Sequence, residues 1–141
     1  MVIADAGFWV ALYNRRDRDH AAALVAAGQY ESDGFITTHA VITEACHLLY
    51  RREHAGAMLQ LVEALRDGPV EVLELDTEEL PRIARLMHQY RDLPMDYADA
   101  SLVLLAEHLG HGRILTTDRR DFRNYRWKHH HPFENLLAGG N

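Results

Sequence analysis

The sequence predicts an α/β protein in which helices cover both faces of a parallel sheet of four or five strands. Short apolar runs rich in β-branched residues alternate with longer segments that carry apolar residues at helical spacing. Glycine and proline separate these segments. Asp5 and Asp118 each follow an apolar run, at the end of the strand where parallel sheets form their binding sites.

Length and composition limit the possible classes of protein. The chain has 141 residues, 48% hydrophobic and 26% charged, so we expect one globular domain over residues 1–141. We expect no membrane span or signal peptide, because no apolar run reaches about 20 residues and Asp5 interrupts the apolar start. Cys46 is the only cysteine, which favours a cytoplasmic location. A formal charge of −6 argues against binding nucleic acid by bulk charge alone.

The first half of the chain contains two predicted strands. The predicted elements are a strand (2–4), a short helix (8–13), an alanine-rich helix (21–27), a strand (35–38), a helix carrying Glu44 and a helix from about 55 to 65. Asp17 or Asp19 can cap the alanine-rich helix and Gly28 can end it.

The second half repeats the alternation. It contains a strand (70–75), a helix opened by Asp76 or Thr77 and ending near 90, a helix from Asp96 to Gly110, a strand (113–117), a loop with Asp118 and Asp121, a last strand within 124–131 and a frayed end (136–141). Pro94 separates the two helices.

Four acids have positions that invite a functional interpretation: Asp5, Glu44, Asp99 and Asp118. If the first and fourth strands are neighbours, all four can converge on one edge of the sheet. Three of them also have a structural alternative, since Asp5 can cap a helix, Glu44 can be solvated and Asp118 can belong to a turn. Asp96 stands where an N-cap belongs, one turn before Asp99, so we interpret it mainly as a cap. Asp121 stands among arginines at 119, 120 and 123, so we interpret it as a turn or salt-bridge residue.

Four carboxylates in one dry pocket repel each other, and a pair of divalent cations removes the repulsion. Oxygen ligands favour Mg²⁺ or Mn²⁺ over zinc, and such pairs typically cut phosphodiesters. Thr116 and Thr117 can donate hydrogen bonds to a carboxylate or a phosphate. A basic segment with aromatic residues (119–128) suits a phosphate backbone, although a solvated surface with buried aromatic residues is the commoner arrangement.

Other functions fit less well. Glu44 and His47 have di-iron spacing but no second pair follows, and the run 129–131 is a weak metal tract. A phosphatase of the haloacid-dehalogenase type needs Asp-x-Asp after the first strand, where this chain has Asp5-Ala-Gly. A receiver domain needs a well-placed lysine, and Lys128 is the only one in the chain.

With these residues in hand, the chain resembles the PIN-domain ribonucleases, especially the VapC-like toxins of prokaryotic toxin–antitoxin modules. The resemblance covers roughly residues 2–126. It rests on four pieces in order: IADAGFWVAL with Asp5, ITEACHLL with Glu44, YADASLVLLAEHLG with Asp99 and ILTTDRRDF with Asp118. The histidine run and the GGN tail match no motif of the family.

This resemblance implies a three-layer α/β/α sandwich and a ribonuclease that hydrolyses single-stranded or loop RNA with Mg²⁺ or Mn²⁺. Asp5 and Asp99 would be the central metal ligands, and Glu44 and Asp118 would complete the site. The family further implies a homodimer and a small VapB-like antitoxin whose tail enters the acidic groove. A stand-alone PIN nuclease without an antitoxin, or a non-catalytic module that binds RNA or protein, remains the alternative. Neither the RNA target nor a metal-binding role of Asp96 or Asp121 can be predicted.

Overall fold

The structure is a computed structural model that describes residues 1–137. A five-stranded parallel sheet forms the centre of the fold. The strands are β1 (Val2–Ala4), β2 (Phe35–Thr38), β3 (Val70–Leu73), β4 (Arg113–Leu115), β5 (Arg126–Trp127), β6 (His131–Pro132) and β7 (Glu134–Asn135). The sheet has the order β3-β2-β1-β4-β7, and β5 and β6 form a separate antiparallel pair. Because β1 pairs with both β2 and β4, the first and fourth strands are neighbours, which is the condition under which the four acids can converge.

Helices connect the parallel strands. They are α1 (Ala6–Tyr13), α2 (His20–Gln29), α3 (His39–Arg52), α4 (Ala55–Asp67), α5 (Leu80–Gln89), α6 (Tyr97–Leu109) and α7 (Arg119–Asn124). The crossovers run outward from β1 to β3 and then return to β4. Right-handed crossovers therefore place α1 to α4 on one face and α5 and α6 on the other. The predicted α/β/α fold class is confirmed.

The core lies on both faces of the central strands, against α6 on one face and against α1, α3 and α4 on the other. All three residues of β1 are fully buried, and Ile3 pairs with Ile36 on one side and Ile114 on the other. Seven consecutive residues of α6, 100–106, are buried, so this helix is enclosed by the fold on all sides. None of the described helices is both long and apolar enough to cross a membrane.

The start and end of α6 follow from local sequence. Asp96 is the N-cap: its Oδ1 accepts a hydrogen bond from the Asp99 amide (2.8 Å), and Asp99 Oδ2 accepts one from the Asp96 amide (3.3 Å). This is a capping box. Gly110 ends the helix at φ 76°, a left-handed conformation that glycine adopts without strain. The prediction that Asp96 is a helix cap is confirmed.

The second helix differs from its prediction in two details. The helix α2 continues to Gln29, so Gly28 lies in its last turn instead of ending it. Asp19, one of the two predicted caps, occupies the N-cap position, but its side chain makes no capping hydrogen bond and pairs with Arg119 instead (3.3 Å).

The C-terminal part differs more. The predicted loop after β4 forms the short helix α7, because Asp118 caps it through the Asp121 amide (3.3 Å). The predicted last strand within 124–131 is instead the β5–β6 hairpin, and β7 completes the sheet. Leu136 and Leu137 are not frayed: the Leu136 amide donates to the Ile114 carbonyl (2.7 Å) and Leu137 is buried. The remainder of the predicted frayed end, 138–141, lies outside the described residues.

Candidate active site

A polar pocket of about 330 Å³ opens at the carboxyl ends of β1 and β4. It lies where the chain crossovers change direction, which is the usual place for a site in an open parallel sheet. The acids that line it are Asp5, Glu44, Asp96, Asp99, Asp118 and Asp121. The structure thus brings all four predicted site acids together, with two further carboxyl groups beside them.

Asp5 stands at the base of this pocket, between the end of β1 and the start of α1. Only 5% of its surface is exposed. The Ala6 amide donates to Oδ1 (2.7 Å) and the Thr116 hydroxyl donates to Oδ2 (2.7 Å). Both carboxylate oxygens are therefore oriented, one by each of the neighbouring strand ends.

Asn135 on β7 holds Thr116 in place from the edge of the sheet. Its amide nitrogen donates to the Thr116 carbonyl (3.0 Å), and its Oδ1 accepts from the Thr116 amide (3.2 Å). The Asn135 side chain thereby bonds both backbone polar groups of Thr116, as the backbone of a neighbouring strand would. Because the Thr116 hydroxyl also accepts from the Asp118 amide (3.0 Å), Asn135 indirectly orients two acids of the pocket.

Asp99 projects from the first turn of α6. Besides the Asp96 amide, its Oδ2 lies 3.4 Å from the hydroxyl of Tyr125, which also donates to the Leu93 carbonyl (3.1 Å). Tyr125 is fully buried, as the sequence predicted.

A short hydrogen-bonded chain ties α6 to β2. The Ser101 hydroxyl donates to the Ala98 carbonyl (2.6 Å) and is 2.8 Å from the Thr38 hydroxyl, which accepts from the Val41 amide and caps α3. The starts of the two helices that carry Glu44 and Asp99 are therefore joined by side chains.

Glu44 approaches the pocket from α3 and is half-buried. Leu48 and Arg52 follow at intervals of four residues and line the same pocket, as expected for one face of a helix. Arg52 makes no hydrogen bond or ion pair within residues 1–137, although acids surround the pocket it lines. It is the one cation among the described lining residues.

Asp118 and Asp121 lie on the opposite wall, at the start of α7. Burial raises the pKa of Asp118, and the nearby Asp121 charge raises it further, while the hydrogen bond from the Asp121 amide opposes both effects. Asp121 is itself buried and pairs with Arg120 (3.2 Å), so the predicted salt-bridge role is present at the margin of the pocket.

Three of the pocket carboxyl groups, those of Asp5, Glu44 and Asp99, resist ionisation. Burial is the largest cause, raising the pKa of Asp5 to about 6, of Glu44 to about 7 and of Asp99 to about 8. The charges of neighbouring acids, including Asp96 and Asp118, add to each increase. A cation in the pocket would favour the charged forms, so the electrostatics of the pocket suit a cationic ligand.

The donor set fits a hard metal ion in its chemistry, because the candidate ligands are all carboxylate oxygens and no His or Cys lines the pocket within residues 1–137. Across the same residues, no three Asp, Glu, His or Cys side chains lie close enough together to hold an ion as they stand. Mg²⁺ usually takes one or two protein carboxylates and keeps several waters, so this spacing does not conflict with a bound ion.

Part of the predicted basic surface is already engaged. Arg119 pairs with Asp19 (3.3 Å), and both side chains are largely buried. Trp127 is half-buried and stacks on His131 with ring centroids 4.4 Å apart. The His130 and His131 rings also lie together, at 4.0 Å. These contacts give the aromatic residues a structural role at the β5–β6 hairpin.

Sequence reasoning missed Arg52 and Asn135. Helical spacing from Glu44 could have placed Arg52 on the same face. Asn135 carried no usable signal, because its role depends on a two-residue strand that pairs only in the folded sheet.

Comparisons with known proteins agree on one family. The PIN domain model matches residues 2–128 of the chain. Ribonuclease VapC26 of Mycobacterium tuberculosis (strain ATCC 25618 / H37Rv) is 29% identical over 121 residues, which cover 86% of this chain and 89% of that protein. The crystal structure of Mycobacterium tuberculosis VapC20, a sarcin–ricin loop cleaving toxin, superposes with a TM-score of 0.77 at 18% identity. That superposition covers 86% of this chain and 92% of VapC20 and shows a shared fold.

Proposed function

The chain belongs to the PIN domain family, and from that premise we propose that it is a metal-dependent endoribonuclease. The observation that carries the proposal is the pocket at the ends of β1 and β4, in which buried carboxyl groups from separate elements resist ionisation. The relatives support RNA as the substrate, since one is named a ribonuclease and the other a toxin that cleaves an RNA loop.

Asp5 and Asp99 would be the central ligands of Mg²⁺ or Mn²⁺, and Glu44 and Asp118 would complete the site. An ion held by these residues would supply positive charge at the phosphodiester and lower the pKa of a water. Thr116 orients the Asp5 carboxylate through its hydroxyl. In-line attack of the water on phosphorus would form one P–O bond and break the bond to the 3′ oxygen, so the products would be a 5′-phosphate and a 3′-hydroxyl.

The test is cleavage of end-labelled RNA by the purified protein with Mg²⁺, with Mn²⁺ and with EDTA. Asp5→Asn and Asp99→Asn should each lose at least about a hundredfold in rate, since removing one charge-stabilising group typically costs 10²–10³. The matched control is Asp92→Asn, because Asp92 is exposed and does not line the pocket. Full activity in EDTA, or in both site variants, would overturn the proposal.

A non-catalytic binding module is the alternative, and calorimetric titration with Mn²⁺ separates the two. A nuclease should bind the ion and lose that binding in Asp99→Asn. A protein that binds no divalent ion and cleaves no RNA would be a binding module instead.

We further propose that the protein is the toxin of a VapBC-like pair, a homodimer neutralised in the cytoplasm by a small VapB-like antitoxin. The VapC names of both relatives support this pairing. Large exposed apolar side chains on α2 and α4 offer surface for contacts between chains: Leu24, Val25, Leu59 and Val62. A short reading frame for a DNA-binding protein beside this gene, and a dimer mass in light scattering, are the expected observations. A monomer with no such neighbour would favour a stand-alone nuclease.

A further inference from the structure

A second cavity, of about 430 Å³, lies at the same edge of the sheet, beyond the ends of β2 and β3. The start of α3, the segment that follows β3 and the side chain of Tyr97 form its walls. None of the four proposed catalytic acids lines it. It is therefore a separate space, and its neighbours decide what it can hold.

This cavity adjoins the acidic pocket through two helices. Tyr97, which lines the cavity, lies between Asp96 and Asp99, which line the pocket. Thr43, which also lines the cavity, immediately precedes Glu44 on α3. A molecule held in the cavity would thus lie next to a phosphodiester held at the acids.

The lining of the cavity combines an aromatic ring, apolar surface and hydrogen-bonding groups. Tyr97 is 43% exposed, so its ring is accessible from the cavity that it lines. Leu73 and Leu75 supply apolar surface, and Glu74 supplies an exposed carboxylate. No arginine or lysine lines the cavity within residues 1–137.

His39 also lines the cavity, at the start of α3. The exposed ring of Tyr97, the apolar surface and the carboxylate of Glu74 together favour a flat ring with N–H groups at its edge. A carboxylate repels phosphate but accepts hydrogen bonds from amino and ring N–H groups of a nucleobase. Nucleobases stack on aromatic side chains, and the cavity volume exceeds that of one base.

We propose that this cavity is a nucleobase subsite of the proposed ribonuclease. It holds the base of a nucleotide that flanks the cleaved phosphodiester, stacked on Tyr97, with Glu74 accepting hydrogen bonds from the edge of the base. The inference rests on the proposed function and adds a determinant of RNA preference to it.

The first experiment measures kcat/KM on a cleavable oligoribonucleotide with Tyr97→Ala, Tyr97→Phe and Tyr50→Ala. Tyr50 is the matched control, being an exposed tyrosine on α3 that lines neither space. Because base stacking on an aromatic residue is lost, we expect kcat/KM of Tyr97→Ala to fall roughly 5- to 100-fold. Tyr97→Phe keeps the ring, so its kcat/KM should stay within about twofold of the wild-type value, as should that of Tyr50→Ala. All variants should have the melting temperature of the wild-type protein.

The second experiment pairs the protein change with a change in the RNA. Removing the flanking base, by an abasic nucleotide, should cost about as much as Tyr97→Ala, and the two losses should not add, because both delete the same contact. Glu74→Gln should alter which flanking base is preferred. Additive losses, or an unchanged kcat/KM in Tyr97→Ala, would overturn the inference while the proposed ribonuclease stands.

A binding readout keeps the inference testable even if no RNA is cleaved. An oligonucleotide that carries 2-aminopurine as the flanking base gives a fluorescence readout. Its fluorescence should be quenched when it binds the wild-type protein or Tyr97→Phe, but not when it binds Tyr97→Ala. Equal quenching in all three would assign the cavity to another occupant, such as a segment of a partner protein. An inactive wild type that shows ring-dependent quenching would refute the nuclease proposal and retain the base-binding surface.

Discussion

Replacing Asp99 by asparagine should abolish RNA cleavage and, in the absence of metal, make the protein more stable at pH 8. Burial and the charges of Asp5 and Asp96 raise the pKa of Asp99 from 3.8 to about 8. Between these values the folded protein retains a proton that the unfolded chain has released. The stability of the metal-free wild type therefore falls as the pH rises from about 4 to about 8, and Asp99→Asn should lack this part of the fall.

The size of the effect follows from the pKa. A shift from 3.8 to about 8 corresponds to roughly 6 kcal/mol, at about 1.4 kcal/mol for each tenfold change in proton affinity. Asp99 is partly exposed to solvent, which screens the penalty, and its neighbours take up protons together with it. We therefore expect a gain of about 1–3 kcal/mol at pH 8 and no gain near pH 4.

Urea unfolding in EDTA at pH 4, 6 and 8 measures this difference, with Asp92→Asn as the control. Asparagine keeps an oxygen that can accept from the Asp96 amide and from Tyr125, so loss of the cap does not confuse the comparison. Saturating Mg²⁺ should make the wild type the more stable of the two proteins. The gain in its free energy of unfolding should be about 2.7 kcal/mol when the Mg²⁺ concentration is a hundred times the Kd for Mg²⁺. A variant with no gain at pH 8, or with the same gain at every pH, would refute the electrostatic reasoning.

Three further changes probe the surroundings of the site. Arg52 lines the pocket and forms no ion pair within residues 1–137, so we expect it to contact an RNA phosphate. Arg52→Ala should therefore raise KM for RNA about three- to tenfold and weaken the salt dependence of KM, whereas Arg51→Ala should change KM less. Gly7→Ala should lower stability by about 1–3 kcal/mol, since the added methyl collides with the Thr117 hydroxyl; adding Thr117→Ala should recover part of the loss in thermal melts. Asn135→Asp removes the amide that ties β7 to the end of β4, and kcat should fall about tenfold in steady-state assays with less effect on KM.

Elements with strong local signals could be predicted. The start of α6 was readable because a proline, a capping aspartate and a helical stripe follow one another, and its end was readable from Gly110. The strands β1, β2 and β4 were readable because they are buried and apolar. The position of Asp5 after a buried strand was enough to predict a carboxylate at the edge of the sheet.

The C-terminal region could not be predicted because its elements are two to six residues long and depend on the rest of the fold. Glu134–Asn135 has no apolar alternation, and it forms a strand because β4 offers a free edge. The contribution of Asn135 to the pocket became visible only with that pairing. Burial is the main reason that Asp5, Glu44 and Asp99 resist ionisation. The extent of that burial depends on the packed fold and could not be predicted from the sequence.

The structural and the proposed functional interpretations of these acids are compatible, because one side chain can cap a helix and still face the pocket. Asp5 is the N-cap of α1, Asp118 is the N-cap of α7, and Asp99 completes the capping box of α6. Three helix N-termini therefore direct partial positive charge and amide hydrogens at the pocket, and each of these amides lowers the pKa of its acid. This explains how the fold tolerates several buried carboxyl groups before any cation binds. It also means that alanine would remove a cap and a charge together, whereas asparagine, an equally good cap, removes the charge alone and isolates the chemistry.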